Sequence, residues 1–292
     1  MTKKTRILFA VLLVLMMVFT AACSGKDAAP PKDTTAPTET IDNDTKPVPG
    51  FVGAVLYNQD GIKVTVTGYE TDNFYGPMLY VKISNSTDKD VVVKSELVCG
   101  NFYMMNNTMI HSEVAAGTEA ESCFVFSYNE MERCEIKELT LLEFYITVCD
   151  PVTNENLAAP KLVRMHLAAE HNISIDASGL RVYAKDGIRI VFKGVEKDRT
   201  YQGAVYFFVD NNSGRNISIF NKYIGLNEVY CLDTFWVDVR HDAYALDCIY
   251  LWDLSSYKLE SLDQIETIAL NLQIIDYDTK EEIDTVSINI DN

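Results

Sequence analysis

Glycine, proline and positive charge are all scarce in this sequence. Its 292 residues include 14 Gly and 8 Pro, which is too few for a collagen-like or other fibrous chain. The 25 Lys and Arg residues are outnumbered by 42 Asp and Glu, and affinity for nucleic acid depends on basic residues, so we expect no nucleic-acid partner. With 48% apolar residues, the chain is too hydrophobic for an intrinsically disordered protein.

The sequence also lacks an apolar run of about 18 residues, the length of a membrane-spanning helix. A shorter apolar stretch, Ile7 to Phe19, follows Lys3, Lys4 and Arg6 and precedes two alanines and Cys23. A basic start, a short apolar segment and small residues at its end are typical of a secretory signal. We therefore predict a signal peptide over residues 1–22.

Cys23 gives this segment a more specific meaning. With Ala21 and Ala22 directly before the cysteine, the segment resembles a bacterial lipoprotein signal. The resemblance implies that diacylglycerol is attached to the Cys23 thiol, which anchors the protein to the outer face of the cell membrane. Thr20 stands where such signals usually have leucine, so an ordinary secreted protein is the alternative.

The residues that come after the cysteine have the composition of a tether. Residues 24–50 consist mainly of Pro, Thr, Asp, Ala and Lys, which is typical of a flexible linker rather than a domain. We expect residues 23–50 to form the lipidated cysteine and a disordered linker that reaches roughly 80 Å when extended. Cleavage after residue 22 removes three basic residues and no acidic one, which takes the net charge from −17 to −20.

The remaining chain contains an internal duplication. Residues Asp60–Val64 match Asp186–Ile190, and Asn85–Lys89 match Asn211–Arg215, both at an offset of 126 residues. This period is far longer than the 20–50 residues of solenoid repeats. The duplication therefore predicts two homologous domains rather than a repeat array.

Both copies show the patterns of β-strands. Ile62, Val64 and Val66 alternate with polar residues, and similar runs recur between turn residues. Residues 130–137 and 255–262 are expected to form no more than single helical turns. About seven strands in about 120 residues predicts a β-sandwich. We expect an all-β protein with two tandem immunoglobulin-like β-sandwich domains, at residues 51–168 and 172–292, each large enough to fold separately.

Three segments resemble a known class of domain. They are Gly61–Val66, Tyr80–Thr87, and Val114–Gly117 before the strand at Cys123. In these segments the chain resembles the immunoglobulin-like domains of unknown function that recur in Gram-positive lipoproteins. The resemblance implies a sandwich at an exterior surface and brings no activity with it.

Six cysteines come after Cys23. Only Cys123 and Cys248 occupy equivalent places in the two copies, so we expect no disulfide that both domains share. Free, buried thiols are the first expectation, and a disulfide in one domain is the alternative. No CxxC spacing occurs, so we expect no metal. The six are Cys99, Cys123, Cys134, Cys149, Cys231 and Cys248.

The sequence contains parts of known catalytic motifs, and each of them lacks a required residue or the required spacing. The HxxxEH run at His166 has one residue too many for a zinc-protease motif. The pairs Ser86 with Lys89 and Ser255 with Lys258 match a serine–lysine acylation motif but lack its SDN and KTG partners. We therefore assign no catalytic residue, cofactor or metal.

The acidic run Asp276–Glu282 lacks the glycine and spacing of an EF-hand, so we expect a solvated hairpin turn there. The interpretation that remains is a non-catalytic binding or spacer module at the cell envelope. A secreted or anchored enzyme of unrecognised type is the alternative.

One loop feature recurs in both copies and suits ligand binding. Asp72 and Tyr75 align at offset 126 with Asp198 and Tyr201, just before a strand in each copy. Aromatic rings and carboxylates on loops bind sugars and peptides, so these four residues are the candidate site for a glycan, peptide or protein ligand. The alternative is that each tyrosine closes one end of its sandwich.

The lipoprotein hypothesis predicts the behaviour of a Cys23→Ala variant. Without the thiol no lipid can be attached, so the variant should leave the membrane fraction and appear in the medium. Fractionation of producing cells measures this. Continued tight membrane association of the variant would contradict the hypothesis.

Overall fold

The regular structure of the chain is almost entirely β-strand, as the alternating sequence predicts. It is a computed structural model that describes residues 39–40, 50–168, 174–198 and 200–292. Cys23 and the predicted signal peptide lie outside these residues. Residues 51–168 are called repeat 1, and residues 172–292 are called repeat 2.

The strands up to the end of repeat 1 are β1 (Glu39–Thr40), β2 (Val55–Gln59), β3 (Ile62–Glu70), β4 (Met78–Asn85), β5 (Val91–Gly100), β6 (Tyr103–Met104), β7 (His111–Val114), β8 (Glu119–Val125), β9 (Leu141–Cys149) and β10 (Lys161–His166). Of these strands, β3 and β4 alternate buried and more exposed residues, whereas β5 and β9 are buried along nearly all of their length. One α-helix, α1, spans Tyr128–Arg133 between β8 and β9.

Repeat 2 has the same order of elements. Its strands are β11 (Ser174–Ile175), β12 (Leu180–Lys185), β13 (Ile188–Glu196), β14 (Gly203–Asn211), β15 (Ile217–Leu226), β16 (Val229–Cys231), β17 (Trp236–Val239), β18 (Ala243–Leu251), β19 (Thr267–Asp276) and β20 (Glu282–Asp291). The 3₁₀-helices Leu254–Tyr257 and Leu262–Gln264 lie between β18 and β19. These short helices and α1 agree with the expectation of single helical turns.

Three large sheets contain most of the strands. A four-stranded sheet has the order β2-β3-β4-β8, and a five-stranded sheet has the order β16-β15-β19-β20 with β17 beside β15. The third is a central nine-stranded sheet of the order β10-β9-β5-β6-β18-β14-β13-β12, with β7 beside β5. The central sheet therefore contains strands of both repeats. A short pairing of β1 with β11 is separate, and it places Glu39 and Thr40, which the sequence assigned to the disordered linker, in a strand beside repeat 2.

Strand order within each repeat is that of an immunoglobulin-type sandwich. In repeat 1, β3-β4-β8 form one sheet and β10-β9-β5 the other, which corresponds to the A-B-E and G-F-C order of such folds. Repeat 2 has the same order in β13-β14-β18 and β20-β19-β15. The predicted fold class, an all-β immunoglobulin-like sandwich, is confirmed.

Equivalent hydrogen bonds mark the duplication at the level of single side chains. Asn101 and Asn227 both have left-handed backbone conformations, with φ of 49° and 47°. The Asn101 side-chain oxygen accepts hydrogen bonds from the N–H groups of residues 140 and 141, and that of Asn227 accepts them from residues 266 and 267. Each asparagine thus connects two loops of its own sandwich.

The central sheet has a hydrophobic core on each of its faces. Along β13, Ile190 and Phe192 are buried in the core of repeat 2, while Val191 between them belongs to the core of repeat 1. On β5, Val93 lies in the core of repeat 1, whereas Cys99 lies in that of repeat 2. Because neighbouring strand residues point to opposite faces, the two cores lie on opposite sides of one sheet.

A buried ion pair connects the two repeats. The Arg240 Nη2 atom of repeat 2 donates a hydrogen bond of 2.6 Å to Glu143 of repeat 1, and the two side chains are 3% and 0% exposed. Arg164 donates to the other carboxylate oxygen of Glu143 at 2.7 Å. At the same joint Tyr244 of β18 pairs with Tyr103 of β6. The domain boundaries at residues 168 and 172 stay a prediction.

Among the described residues, no helix has the length and the apolar character that crossing a bilayer requires. The six cysteines after Cys23 are free thiols in the structure. Burial raises the pKa of the Cys99, Cys134 and Cys248 thiols to about 12, so these three are protonated and poorly reactive at neutral pH.

The buried ion pair predicts a large loss of stability for Glu143→Ala. This substitution leaves the Arg240 guanidinium buried without its carboxylate, which costs about 3–5 kcal/mol in the free energy of unfolding. Urea denaturation measures the difference. The control is Glu119→Ala, which removes an exposed partner of Lys82 and should leave stability nearly unchanged. Equal losses in the two variants would contradict a buried, uncompensated arginine.

Candidate functional site

A cleft of about 470 Å³ lies between the two repeats, and we call it the inter-repeat cleft. One wall is helix α1 of repeat 1 with the residues just after it, and the other is the face of β13, β14 and β18 that points toward repeat 1. Its volume falls in the range of about 300–1,000 Å³ that is typical of small-ligand sites. Asp198 and Tyr201, two of the four residues predicted from the sequence, line it.

Arg133 at the end of α1 connects the two walls. Its Nη1 donates to the Asp247 carboxylate at 2.8 Å, and its Nη2 donates to the Tyr250 hydroxyl at 2.9 Å. Burial raises the pKa of Asp247, although Arg133 and the Cys248 N–H oppose that shift by stabilising the carboxylate. Burial also lowers the pKa of Arg133, but Asp247 and its neighbours outweigh it and raise the pKa overall. This arginine therefore stays charged and fixes α1 against β18.

Glu130 fixes the other side of helix α1. Its Oε1 accepts hydrogen bonds from the Asn107 N–H at 3.1 Å and from the Asn107 side-chain amide at 3.0 Å. Burial raises the pKa of this carboxyl, and the two hydrogen bonds oppose the rise. Met131 is also buried beneath the helix. The helix is six residues long, so these contacts and Arg133, rather than helix propensity, hold it in place.

Aromatic rings form one part of the wall. The Tyr201 ring centroid lies 4.4 Å from that of Tyr250 and 4.4 Å from that of Trp252. Asp198 fixes the loop that carries Tyr201, because its Oδ1 accepts hydrogen bonds from the N–H groups of Thr200 and Tyr201 at 2.7 and 2.9 Å. Trp252 is 64% exposed. Tyr201 and Tyr250 line the cleft, and Trp252 lies against Tyr201 just outside that lining. The three rings form a connected aromatic surface, called here the aromatic wall, that solvent reaches.

A second basic side chain in the cleft is held by its own partners. Lys193 Nζ donates to the Asp176 carboxylate at 2.6 Å and to the Ser178 carbonyl at 2.9 Å. Burial alone would raise the pKa of Asp176, but the hydrogen bonds from Lys193 and Ser178 outweigh it and lower the pKa to about 2. The Lys193 charge is thus neutralised locally.

The matching residues of repeat 1 are arranged differently. Tyr75 is 70% exposed. Among the described residues, the one aromatic ring that it contacts is that of its neighbour Phe74, with the ring centroids 5.2 Å apart. The Tyr75 N–H donates its hydrogen bond to the side-chain oxygen of Asn73 rather than to Asp72. Neither Asp72 nor Tyr75 lines the inter-repeat cleft. The structure thus assigns different surroundings to the two aligned pairs.

The cause of this difference is the strand beside each loop. In repeat 2, Tyr250 of β18 pairs with Ala204, whereas in repeat 1 the corresponding partner of Met78 on β8 is Val125. A valine offers no ring on which Tyr75 could pack. The alignment of the loops was visible in the sequence, but this change on a distant strand is what separates the two tyrosines.

The remaining sequence motifs are accounted for by turns. The Ser86 hydroxyl donates to the Gly61 carbonyl at 2.7 Å, and the Ser255 hydroxyl donates to Asp253 at 2.8 Å. The Asp276 carboxylate accepts hydrogen bonds from the N–H groups of Asp278 and Thr279 in its own hairpin, which agrees with the prediction of a solvated turn. Of the HxxxEH run, the second histidine and the glutamate lie outside the described residues. Within the described ranges no group of three or more His, Cys, Asp or Glu side chains could hold a metal ion.

Sequence reasoning missed Arg133, Tyr250 and Trp252. Trp252 is one of only two tryptophans, and it comes directly after an apolar strand, which was the available signal. No sequence signal indicated Arg133, because its partner Asp247 is 114 residues away in the chain.

Comparisons with known proteins give only distant structural likenesses. No protein-family model matches the chain, and no curated protein sequence matches it. Among solved structures it is similar to the crystal structure of the YadV chaperone, at 10% identity over 80% of this chain and 100% of that one, with a TM-score of 0.26. It is also similar to the Salmonella enterica SafA pilin in complex with the SafB chaperone, at 13% identity over 73% and 89%, with a TM-score of 0.22.

A third similar structure is red sea bream transglutaminase, at 9% identity over 80% of this chain and 31% of that one, with a TM-score of 0.22. At these identities and scores the three likenesses say nothing about what the chain binds.

The contrast between the two tyrosines predicts different effects on stability. Tyr201→Ala removes two ring contacts and should lower the melting temperature by about 2–6 °C. Tyr75→Ala removes a mostly exposed ring and should leave the melting temperature nearly unchanged. Thermal denaturation measured by circular dichroism compares them. A larger loss for Tyr75→Ala would contradict the different packing of the two rings.

Proposed function

We propose that this protein is a lipoprotein anchored through Cys23 to the outer face of the cell membrane, and that it acts as a non-catalytic binding module at the cell envelope. The lipobox-like sequence at residues 20–23 and the Pro- and Thr-rich residues after it support the anchor. A tether of this length gives the folded repeats access to ligands some tens of ångströms from the bilayer.

The observation that carries the binding role is the inter-repeat cleft with its aromatic wall. Trp252 is 64% exposed and connects through Tyr201 to the cleft lining, so the rings offer an aromatic surface that a ligand can cover. Tyr250 lies on β18, and the Asp198 carboxylate holds the backbone of Tyr201, so these two rings are positioned before any ligand arrives. A glycan, a peptide or a segment of another protein is the class of ligand proposed.

The site gives no support to the enzyme alternative. Arg133 and Lys193 already have carboxylate partners, and the hydroxyls of Ser86 and Ser255 are used in turns. None of these groups is paired with a general base in the way that nucleophilic catalysis requires.

The test is a binding screen on the unlipidated mature chain, residues 23–292 with Cys23→Ala. Oligosaccharides and short peptides are titrated against it and against the same chain carrying Trp252→Ala. We expect Trp252→Ala to lose binding at least about tenfold. It removes only one of the two ring contacts of Tyr201, so its melting temperature should fall less than that of Tyr201→Ala.

The matched control is Trp236→Ala, which removes the other exposed tryptophan, 59% exposed and stacked on Phe220 rather than on a ring of the cleft. It should bind as the parent chain does. Absence of binding by the parent to every probe would contradict the binding role and favour a spacer.

A further inference from the structure

The ring geometry of the aromatic wall bears on what the inter-repeat cleft recognises. The Tyr201 ring is tilted by 46° against Tyr250 and by 58° against Trp252. The flat face of a sugar ring stacks on one aromatic plane, and these tilts leave no common plane across the three rings. A tilted set of ring faces instead suits a cation, which each face attracts separately.

The charges in the cleft also favour a cationic ligand. Glu135 lies just after helix α1 on one wall, and Glu196 and Asp198 lie at the end of β13 on the other. The basic groups Arg133 and Lys193 are each neutralised by an aspartate at 2.8 and 2.6 Å. Beyond these pairs the described lining residues include four carboxylates, of Glu132, Glu135, Glu196 and Asp198, and one amine, of Lys197, so negative charge predominates among them.

We propose that the inter-repeat cleft binds a basic peptide segment, whose lysine or arginine side chains lie against the aromatic wall with their cationic ends toward Glu135, Glu196 and Asp198. This proposal rests on the binding role argued above and names its ligand class. The aliphatic stems of these side chains pack on the rings of Tyr201 and Trp252 while the charged ends reach the carboxylates.

The size of the cleft and the charge of the whole chain agree with this ligand. A volume of about 470 Å³ admits a few side chains and excludes a folded domain. The net charge of −20 on the mature chain attracts a cationic segment over a long range at low salt, and added salt screens that attraction. The same charge repels acidic peptides.

The experiment titrates three probes into the unlipidated mature chain with Cys23→Ala. The probes are hexalysine, uncharged hexaglutamine and the neutral sugar cellohexaose, each measured by isothermal titration calorimetry at low and at physiological salt. We expect hexalysine to bind in a salt-dependent way, and the other two probes to bind at least about tenfold more weakly.

The deciding variant is the double substitution Glu135→Gln and Glu196→Gln, which removes one carboxylate from each wall. It should weaken hexalysine binding about tenfold. The matched control, Glu113→Gln with Glu121→Gln, changes the net charge equally at exposed positions outside the cleft and should weaken binding less than about threefold. Trp252→Ala should also weaken hexalysine binding.

Equal losses in the two double variants would overturn the proposal, because hexalysine would then respond only to overall charge. Binding of cellohexaose that Trp252→Ala abolishes and Glu135→Gln with Glu196→Gln leaves intact would also overturn it, while leaving the binding role in place. Binding of none of the three probes would overturn the basic-peptide assignment, and the wider screen of oligosaccharides and short peptides would then decide the binding role separately.

Discussion

The central nine-stranded sheet needs cover on both faces, and this requirement determines how the two repeats are arranged. Val191 of β13 is buried on one side of the sheet and its neighbour Ile190 on the other, so one layer cannot bury both. The four-stranded sheet covers one face at the repeat 1 end, and the five-stranded sheet covers the opposite face at the repeat 2 end. Each repeat therefore supplies residues to the core of the other.

The inter-repeat cleft is a product of this staggered arrangement. Part of the repeat 2 end of the central sheet is left open beside repeat 1, and helix α1 borders that opening. Arg133 sets the width of the opening because it contacts both Asp247 and Tyr250. Tyr201 lies on a loop between β13 and β14, two strands at the joint between the sandwiches. This position places its ring in the cleft.

Local sequence predicted the fold well because strand patterns and turns are local. The offset of 126 residues is reproduced by β3 and β13, which begin at Ile62 and Ile188. The shared sheet was not predictable, since Cys99 of β5 looks like a residue of its own core and is buried in the other. Of the candidate site, Asp198 and Tyr201 line the cleft, whereas the environment of Tyr75 depends on Val125, a residue that no loop comparison considers.

The joint between the repeats joins two different surfaces, since β6 of one copy meets β18 of the next. An interface of this head-to-tail kind can in principle repeat without end and produce a filament. The free counterpart of β18 is β8 of repeat 1, which pairs only with β4 among the described residues and carries Glu119 and Glu121 beside Lys82. A further sandwich added at that edge would have to strip water from these charges, and this cost disfavours pairing of another chain with β8.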